Sequence, residues 1–432
     1  MQFLTIRKNI KKYNQYYLNL KNNNLVTDTF IYGISNITSS LIPFLLVPFL
    51  TKALSPENFG IFSNYNVFLS LIVLFVGLNM HGAIQQQYFK INHNNFTSYL
   101  SNAFIISFIS SIFVCFLILL SGSFIVGFTG VPISWLLIAV PIGFFNFATI
   151  VLLALFQIKS KSINYLLYKL FNAIITFILT ILIVTYYDQT WQGPILGKII
   201  AFTATFLIGA YCLIFVFKIN LVIYKTHIAH LLKFSMPLVI SALGGMILTV
   251  SDRFFITNMI SLSENGIYSL GYQLGMIVSL VIISMNTALL PKIYKDLSNN
   301  MQDNRNIRTI IKYYFLIIAV SFLLINFFVY FFFDYFIGTE YSQAKKYIWI
   351  ISLGYAFQGI YYIFVTFIFF IEKTRIIAII TFSTAILNLL LNYMFIKYIG
   401  GLGAAISTLT CFLIQGIFTF LYANKHIKLY KI

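Results

Sequence analysis

Long apolar runs recur along the chain, each closed by charge or by turn residues. A helix needs about 20 residues to cross about 30 Å of hydrocarbon. Runs of that length fall at 26–50, 60–80, 98–121, 134–157, 163–186, 194–217, 234–258, 266–290, 313–336, 347–371, 376–396 and 400–423. The pattern predicts an all-α polytopic membrane protein of about twelve transmembrane helices. The polar intervals between runs are too short to hold a water-soluble domain.

Composition agrees, with 60% hydrophobic and only 9% charged residues, a balance that a soluble domain of this length does not keep. A net charge of +18 suggests nucleic acid until the basic residues are located. Of 28 Lys and Arg, 21 lie at the N-terminus, in every second loop and in the C-terminal tail. The opposite loops hold four, Lys52, Lys345, Lys346 and Lys397, and three more lie inside spans, Lys169, Lys198 and Arg253. This asymmetry orients the chain with both termini in the cytoplasm, which needs an even number of spans, and it removes the case for a nucleic-acid partner. The basic segment 1–24 lacks the apolar core of a signal peptide. Cys115, Cys212 and Cys411 all fall within apolar runs and imply neither a disulfide framework nor a metal site.

The chain also resembles itself. Residues 54–63 read LSPENFGIFS and residues 262–269 read LSENGIYS, so Gly60 aligns with Gly266 at an offset of 206. GKIIA at Gly197 aligns with GAAIS at Gly403 at the same offset. Two matches at one offset predict an internal duplication, with six-helix bundles at 25–220 and 221–424 flanked by cytoplasmic segments 1–24 and 425–432. Six is an even number, so both halves insert the same way and face each other across a central cavity.

Four features carry a family likeness: the paired prolines of LIPFLLVPFLTKAL, the SPENFGIFS that follows, SDRFF at Ser251–Phe255 and GGLGAA at 400–405. Over essentially its whole length the chain resembles Wzx-type O-antigen flippases of the multidrug/oligosaccharidyl-lipid/polysaccharide exporter superfamily. The resemblance implies a multi-pass carrier in the bacterial cytoplasmic membrane. Such a carrier moves undecaprenyl-diphosphate-linked oligosaccharide repeat units to the periplasmic leaflet for surface polysaccharide synthesis. It further implies alternating access coupled to an ion gradient, with membrane lipids and the polymerase and chain-length proteins of the same pathway as partners.

A lipid diphosphate crossing hydrocarbon needs fixed cations facing away from lipid, since an uncompensated charge there costs several kcal/mol. Arg253 leads the candidates because its planar fork suits phosphate oxygens and it keeps its proton; an interfacial anchor is the alternative reading. Lys198 and Lys169 fit either a substrate-facing or a snorkelling role. Asp252 is a candidate counter-ion or coupling-ion site, although adjacent helical residues point about 100° apart. Asp28 fits a helix-start carboxylate or a coupling role. Pro43, Pro48 and Pro237 interrupt spans one and seven, equivalent places in the two halves, as hinges or as fixed kinks. Amides recur within spans, among them Asn64, Asn66, Asn146, Asn172, Gln273, Asn388 and Asn392, and suit helix cross-links or a sugar-tolerant lining.

His227 and His230 have no third ligand nearby, so no metal is expected. No phosphate-binding loop, HExxH or nucleophile elbow is present, so neither an enzyme nor a cofactor is expected. Two rival readings remain. A membrane polymerase or ligase of the same pathway typically carries a large periplasmic loop, whereas the longest loop on that side is roughly Phe333 to Tyr347. A multidrug exporter of the same superfamily is expected to depend on deep acidic residues.

Overall fold

The computed structural model describes residues 2–217, 222–299 and 305–427. The side chains of the basic segment 1–24 and the tail residues 428–432 lie outside the described residues. Fifteen α-helices make up the fold, and there is no strand among the described residues. In order these are α1 Gln2–Ala53, α2 Pro56–Gly77, α3 Met80–Tyr88, α4 His93–Leu120, α5 Gly122–Thr129, α6 Ile133–Ile158, α7 Ser162–Tyr186 and α8 Gln192–Tyr211. They continue as α9 Lys225–Met259, α10 Leu262–Gly275, α11 Ile277–Asn299, α12 Arg305–Phe336, α13 Ala344–Phe370, α14 Thr374–Ile399 and α15 Gly401–Ile427.

Twelve stretches of these helices are long and apolar enough to cross a membrane, and they fall on the twelve predicted runs. The differences lie in the helix ends and in breaks. α1 and α9 extend well beyond their apolar parts, because hydropathy marks only the portion that lipid must solvate. The eighth span divides at Met276 into α10 and α11. α2 stops where Leu78 and Asn79 take left-handed φ values of 46° and 52°, a conformation costing about 1–3 kcal/mol per non-glycine residue. Packing holds the break in place: Leu78 is buried, and Asn79 Nδ2 donates to the Leu238 carbonyl of α9 at 3.3 Å.

One set of helix contacts occurs twice. α1 packs on α7, α7 on α8, α8 on α6, and α6 on α2 and α4, with α2 also meeting α4. Six spans later, α9 packs on α14, α14 on α15, α15 on α13, and α13 on α10 and α12, while α11 meets α12. The repeated sequence lies at the meeting point of these two bundles. LSPEN and LSEN are helix starts: Ser55 Oγ accepts the Asn58 N–H at 3.4 Å and Ser261 Oγ accepts the Glu264 N–H at 3.1 Å. Each satisfies an amide that the first turn leaves open.

Each start then brings its glycine to the other helix. A Cβ on Gly60 would stand 2.1 Å from the Leu262 carbonyl oxygen, and one on Gly266 would stand 1.8 Å from the Pro56 carbonyl oxygen. One turn further on, Ser63 Oγ donates to Ser269 Oγ at 2.8 Å, again 206 positions apart. Residues equivalent under a two-fold axis can touch one another only on that axis, so these pairs mark its position. The second aligned pair works within each half: Gly197 brings α8 onto Thr180 of α7, and Gly403 brings α15 onto Phe395 of α14.

Further bonds tie this charge-poor end shut. Asn64 Nδ2 reaches the Thr129 carbonyl at 2.8 Å and Thr257 Oγ1 at 2.9 Å, and Asn265 Nδ2 donates to Asn64 Oδ1 at 2.9 Å. Tyr341 OH donates to the Leu54 carbonyl at 2.9 Å. Pro43 and Pro48 lie within α1 and Pro237 within α9, and both helices continue through them.

Replacing Gly60 with alanine is expected to force α2 and α10 apart and lower stability by about 1–3 kcal/mol, the usual cost of overpacking. The thermal unfolding midpoint of detergent-solubilised protein measures this. Gly82→Ala, whose Cβ would meet nothing nearer than 3.6 Å, serves as the silent control.

Candidate functional site

Below the sealed end the halves separate around three adjoining cavities of about 400, 600 and 410 Å³. Ser70 lines all three, and Pro43, Phe62, Asn66 and Gln273 are shared by the first two, so they form one cleft. Its walls come from α1, α2, α3, α6, α7 and α8 of one half and from α9, α10 and α11 of the other.

All three intramembrane cations line this cleft. Arg253 borders the first cavity, while Lys169 and Lys198 border the second. The two lysines are held by neutral groups. Lys169 Nζ donates to Asn36 Oδ1 and lies 5.6 Å from the Tyr165 ring centroid. Lys198 Nζ donates to Asn66 Oδ1 and lies 5.2 Å from the Phe62 ring centroid. The Arg253 guanidinium sits 4.9 Å from the Tyr272 ring centroid, and its buried Nε has no hydrogen-bond partner among the described residues.

Two ion pairs, Lys345 with Asp334 and Lys346 with Glu264, lie near the charge-poor end. Among the described residues no carboxylate lines the cleft. At its far end the lining includes Asn79 and His81. Burial holds the His81 imidazole below its ordinary pKa, so it is neutral at pH 7. The cleft is therefore cationic through three residues, surrounded by amides (Asn66, Asn146, Asn172, Gln273), hydroxyls and rings. Such a lining holds a polyanion by charge-assisted hydrogen bonds and accepts hydroxyl-rich groups beside it.

Asp252 points elsewhere. Only 1% exposed, its carboxylate accepts the Tyr268 hydroxyl and the Arg253 backbone N–H, the latter at 3.0 Å. The adjacent Ser251 opens a second buried network: its Oγ donates to Asn388 Oδ1 at 3.0 Å, Asn392 Nδ2 donates to the same oxygen at 3.0 Å, and Asn388 Nδ2 reaches Ser407 Oγ at 3.3 Å. Asn392 Oδ1 is buried with no partner among the described residues. The pair Asp252 and Arg253 thus divides between the wall of the second half and the cleft, as their angular separation on a helix requires.

Asp28 departs from expectation. α1 begins at Gln2, so Asp28 lies deep within a continuous helix and no free helix start is near to favour its charge. It lines none of the three cavities. Of the prolines, Pro43 borders the first two cavities and Pro48 and Pro237 border none of the three. His230 spends its two ring nitrogens on Gln87 and Tyr99, each at 2.9 Å. Sequence reasoning missed Asn36, Tyr268 and Tyr272. The i, i+4 spacing of the two tyrosines was the available signal, whereas Asn36 offered only its polarity inside an apolar run.

A family model described as "Polysaccharide biosynthesis protein" matches residues 25–296. Two curated relatives come from Haemophilus influenzae. An "Uncharacterized membrane protein" is 24% identical over 396 residues, covering 89% of this chain and 91% of its own length. "Lsg locus putative protein 1" is 22% identical over 359 residues, covering 81% and 86%. Among solved structures, the lipid II flippase MurJ in its inward closed conformation superposes with a TM-score of 0.76 at 20% identity, over 92% of this chain and 87% of that one. A multidrug resistance MATE family transporter of the MOP superfamily, inward-facing, gives 0.74 at 14% identity over 92% and 98%. An outward-facing structure of such a transporter gives 0.62 at 15% identity over 92% and 93%. These likenesses establish the fold.

Removing the hydroxyl that caps Asp252 leaves a buried carboxylate short of a donor, which costs about 1–3 kcal/mol. Tyr268→Phe is accordingly expected to lower the unfolding midpoint of the purified protein. A smaller drop is expected when Asp252→Asn is combined with it than from Tyr268→Phe alone, read by a double-mutant cycle.

Proposed function

The chain belongs to the polysaccharide biosynthesis protein family, and on that premise we propose that it is a flippase for undecaprenyl-diphosphate-linked oligosaccharide repeat units. The observation that carries this reading is a cleft between two matched halves that gathers Arg253, Lys198 and Lys169, with no carboxylate of the described residues in its lining. The positions 25–220 and 221–424 act as the two moving halves, with Pro43, Pro48 and Pro237 giving α1 and α9 places to bend. The basic end faces the cytoplasm of a bacterial inner membrane and the charge-poor end faces the periplasm.

In this reading the described state is inward-facing. The diphosphate enters from the cytoplasmic leaflet and meets the three cations, while the amides and rings accommodate sugars. Loosening of the α2–α10 contact then opens the opposite end. Asp252 couples the motion to an ion gradient: its buried carboxyl alternates between an ionised form with a bound cation and a neutral or empty form as the second half changes shape. The pathway's polymerase and chain-length proteins take the product outside. The cleft supports neither rival. A carrier of cationic drugs needs negative charge in its lining, and a polymerase with a large external loop is poorly matched by a connection as short as that between α12 and α13.

Deletion is expected to leave single lipid-linked repeat units facing the cytoplasm, detected by leaflet-selective labelling; unpolymerised units already outside would mean a polymerase. Arg253→Ala is expected to abolish surface polysaccharide at unchanged protein level and Arg253→Lys to restore part of it. Full activity of the alanine variant would remove Arg253 from the path. Asp252→Asn is expected to leave substrate binding intact and to end the dependence of transport on an imposed proton or sodium gradient, measured in proteoliposomes.

A further inference from the structure

A fourth cavity lies on the lipid side of the same wall. It measures about 740 Å³ and runs between α1, the α10–α11 junction and α12. Every side chain lining it is apolar, and it opens outward through Leu45, Leu324, Phe327 and Phe328, all more than half exposed. On α12 the rings are ordered, with Phe328 and Phe332 stacked at 5.0 Å.

This groove and the cationic cleft are two faces of one seam. Phe44 lines both the groove and the Arg253 cavity. Its neighbour Pro43 faces the cleft, and on the opposite wall Gln273 and Met276 face the cleft while the adjoining Leu274 and Ile277 face the groove. Across the seam the polar link is a long contact, from Gln273 Nε2 to the Pro43 carbonyl at 3.4 Å.

We propose that this groove is a binding site for the polyisoprenoid tail of the transported lipid, occupied while its diphosphate sits beside Arg253 on the other side of Phe44. The inference rests on the flippase reading and adds to it where the tail goes. Bilayer acyl chains are as apolar as the groove, so burial from water cannot select its occupant. Two features do. The groove is continuous with a cation-lined cleft, so one molecule with an anionic head and a long apolar tail fills both. Its aromatic walls also offer flat faces to the planar, methyl-branched double bonds of an isoprenoid, and close packing then supplies the preference.

The test uses the full chain in nanodiscs, with a photoreactive benzophenone phenylalanine placed either at position 328 in the groove or at position 116, on the exposed face of α4. The probe is a radiolabelled long-chain polyisoprenyl diphosphate. Cross-linking at 328 is expected to exceed that at 116 by about tenfold, and Arg253→Ala is expected to lower the yield at 328 by about tenfold, since losing the head-group anchor releases the tail. Equal yields at both positions would mean that the groove holds bulk lipid, and a yield at 328 that Arg253→Ala leaves unchanged would mean that head and tail do not share one site. Either result overturns the proposal. Binding of a short-chain isoprenyl diphosphate, too short to fill the groove, reports on the cleft alone. If the unaltered protein does not bind that short-chain diphosphate, the flippase reading itself fails, whatever the cross-linking gives.

Discussion

The structure depends on one backbone crossing. α2 and α10 approach so closely at Gly60 and Gly266 that neither position has room for a methyl group. Around that crossing Ser63 meets its equivalent Ser269 and Asn64 meets Asn265, so a small cluster of buried polar side chains bridges the two halves at the head of the cleft. The two halves meet at this end and part toward the other, where the cavities between them open. The cleft is the geometric remainder of that closure.

The electrostatics follow from where the cleft's walls come from. α9 presents Arg253 to the opening and turns Asp252 into the protein, where Tyr268 caps it. α7 and α8 present Lys169 and Lys198 across the way. Each half therefore contributes positive charge to the shared space, and the second half keeps its intramembrane carboxylate to itself. A passage with this division attracts anions strongly, since partial desolvation magnifies the field of each fixed cation.

Much of this was legible in the chain before any coordinates. Twelve apolar runs predicted the spans because lipid imposes a minimum length that loops cannot imitate. The offset of 206 predicted the duplication, and the same offset reappears as a hydrogen bond between Ser63 and Ser269. Arg253, Lys198 and Lys169 stood out because charge inside an apolar run needs a reason. What escaped the sequence was direction. Nothing in a one-dimensional pattern says that Asn36 and Asn66 meet the two lysines from other helices, or that Asp28 sits within a helix already long under way. The break at Leu78 and Asn79 was equally hidden, since neither residue type announces a left-handed backbone and only tertiary packing holds it there.

The way Lys169 and Lys198 are held, each on the carbonyl oxygen of an asparagine side chain, has a kinetic consequence. A lysine locked to a carboxylate must break an ion pair before it can greet another anion, and it drops back into that pair as soon as the anion leaves. An asparagine is a placeholder of another kind: it keeps the ammonium aimed while a stronger acceptor takes over without displacing any formal charge, and it takes the ammonium back with equal ease. Capture and surrender of an anion then lie on nearly level ground.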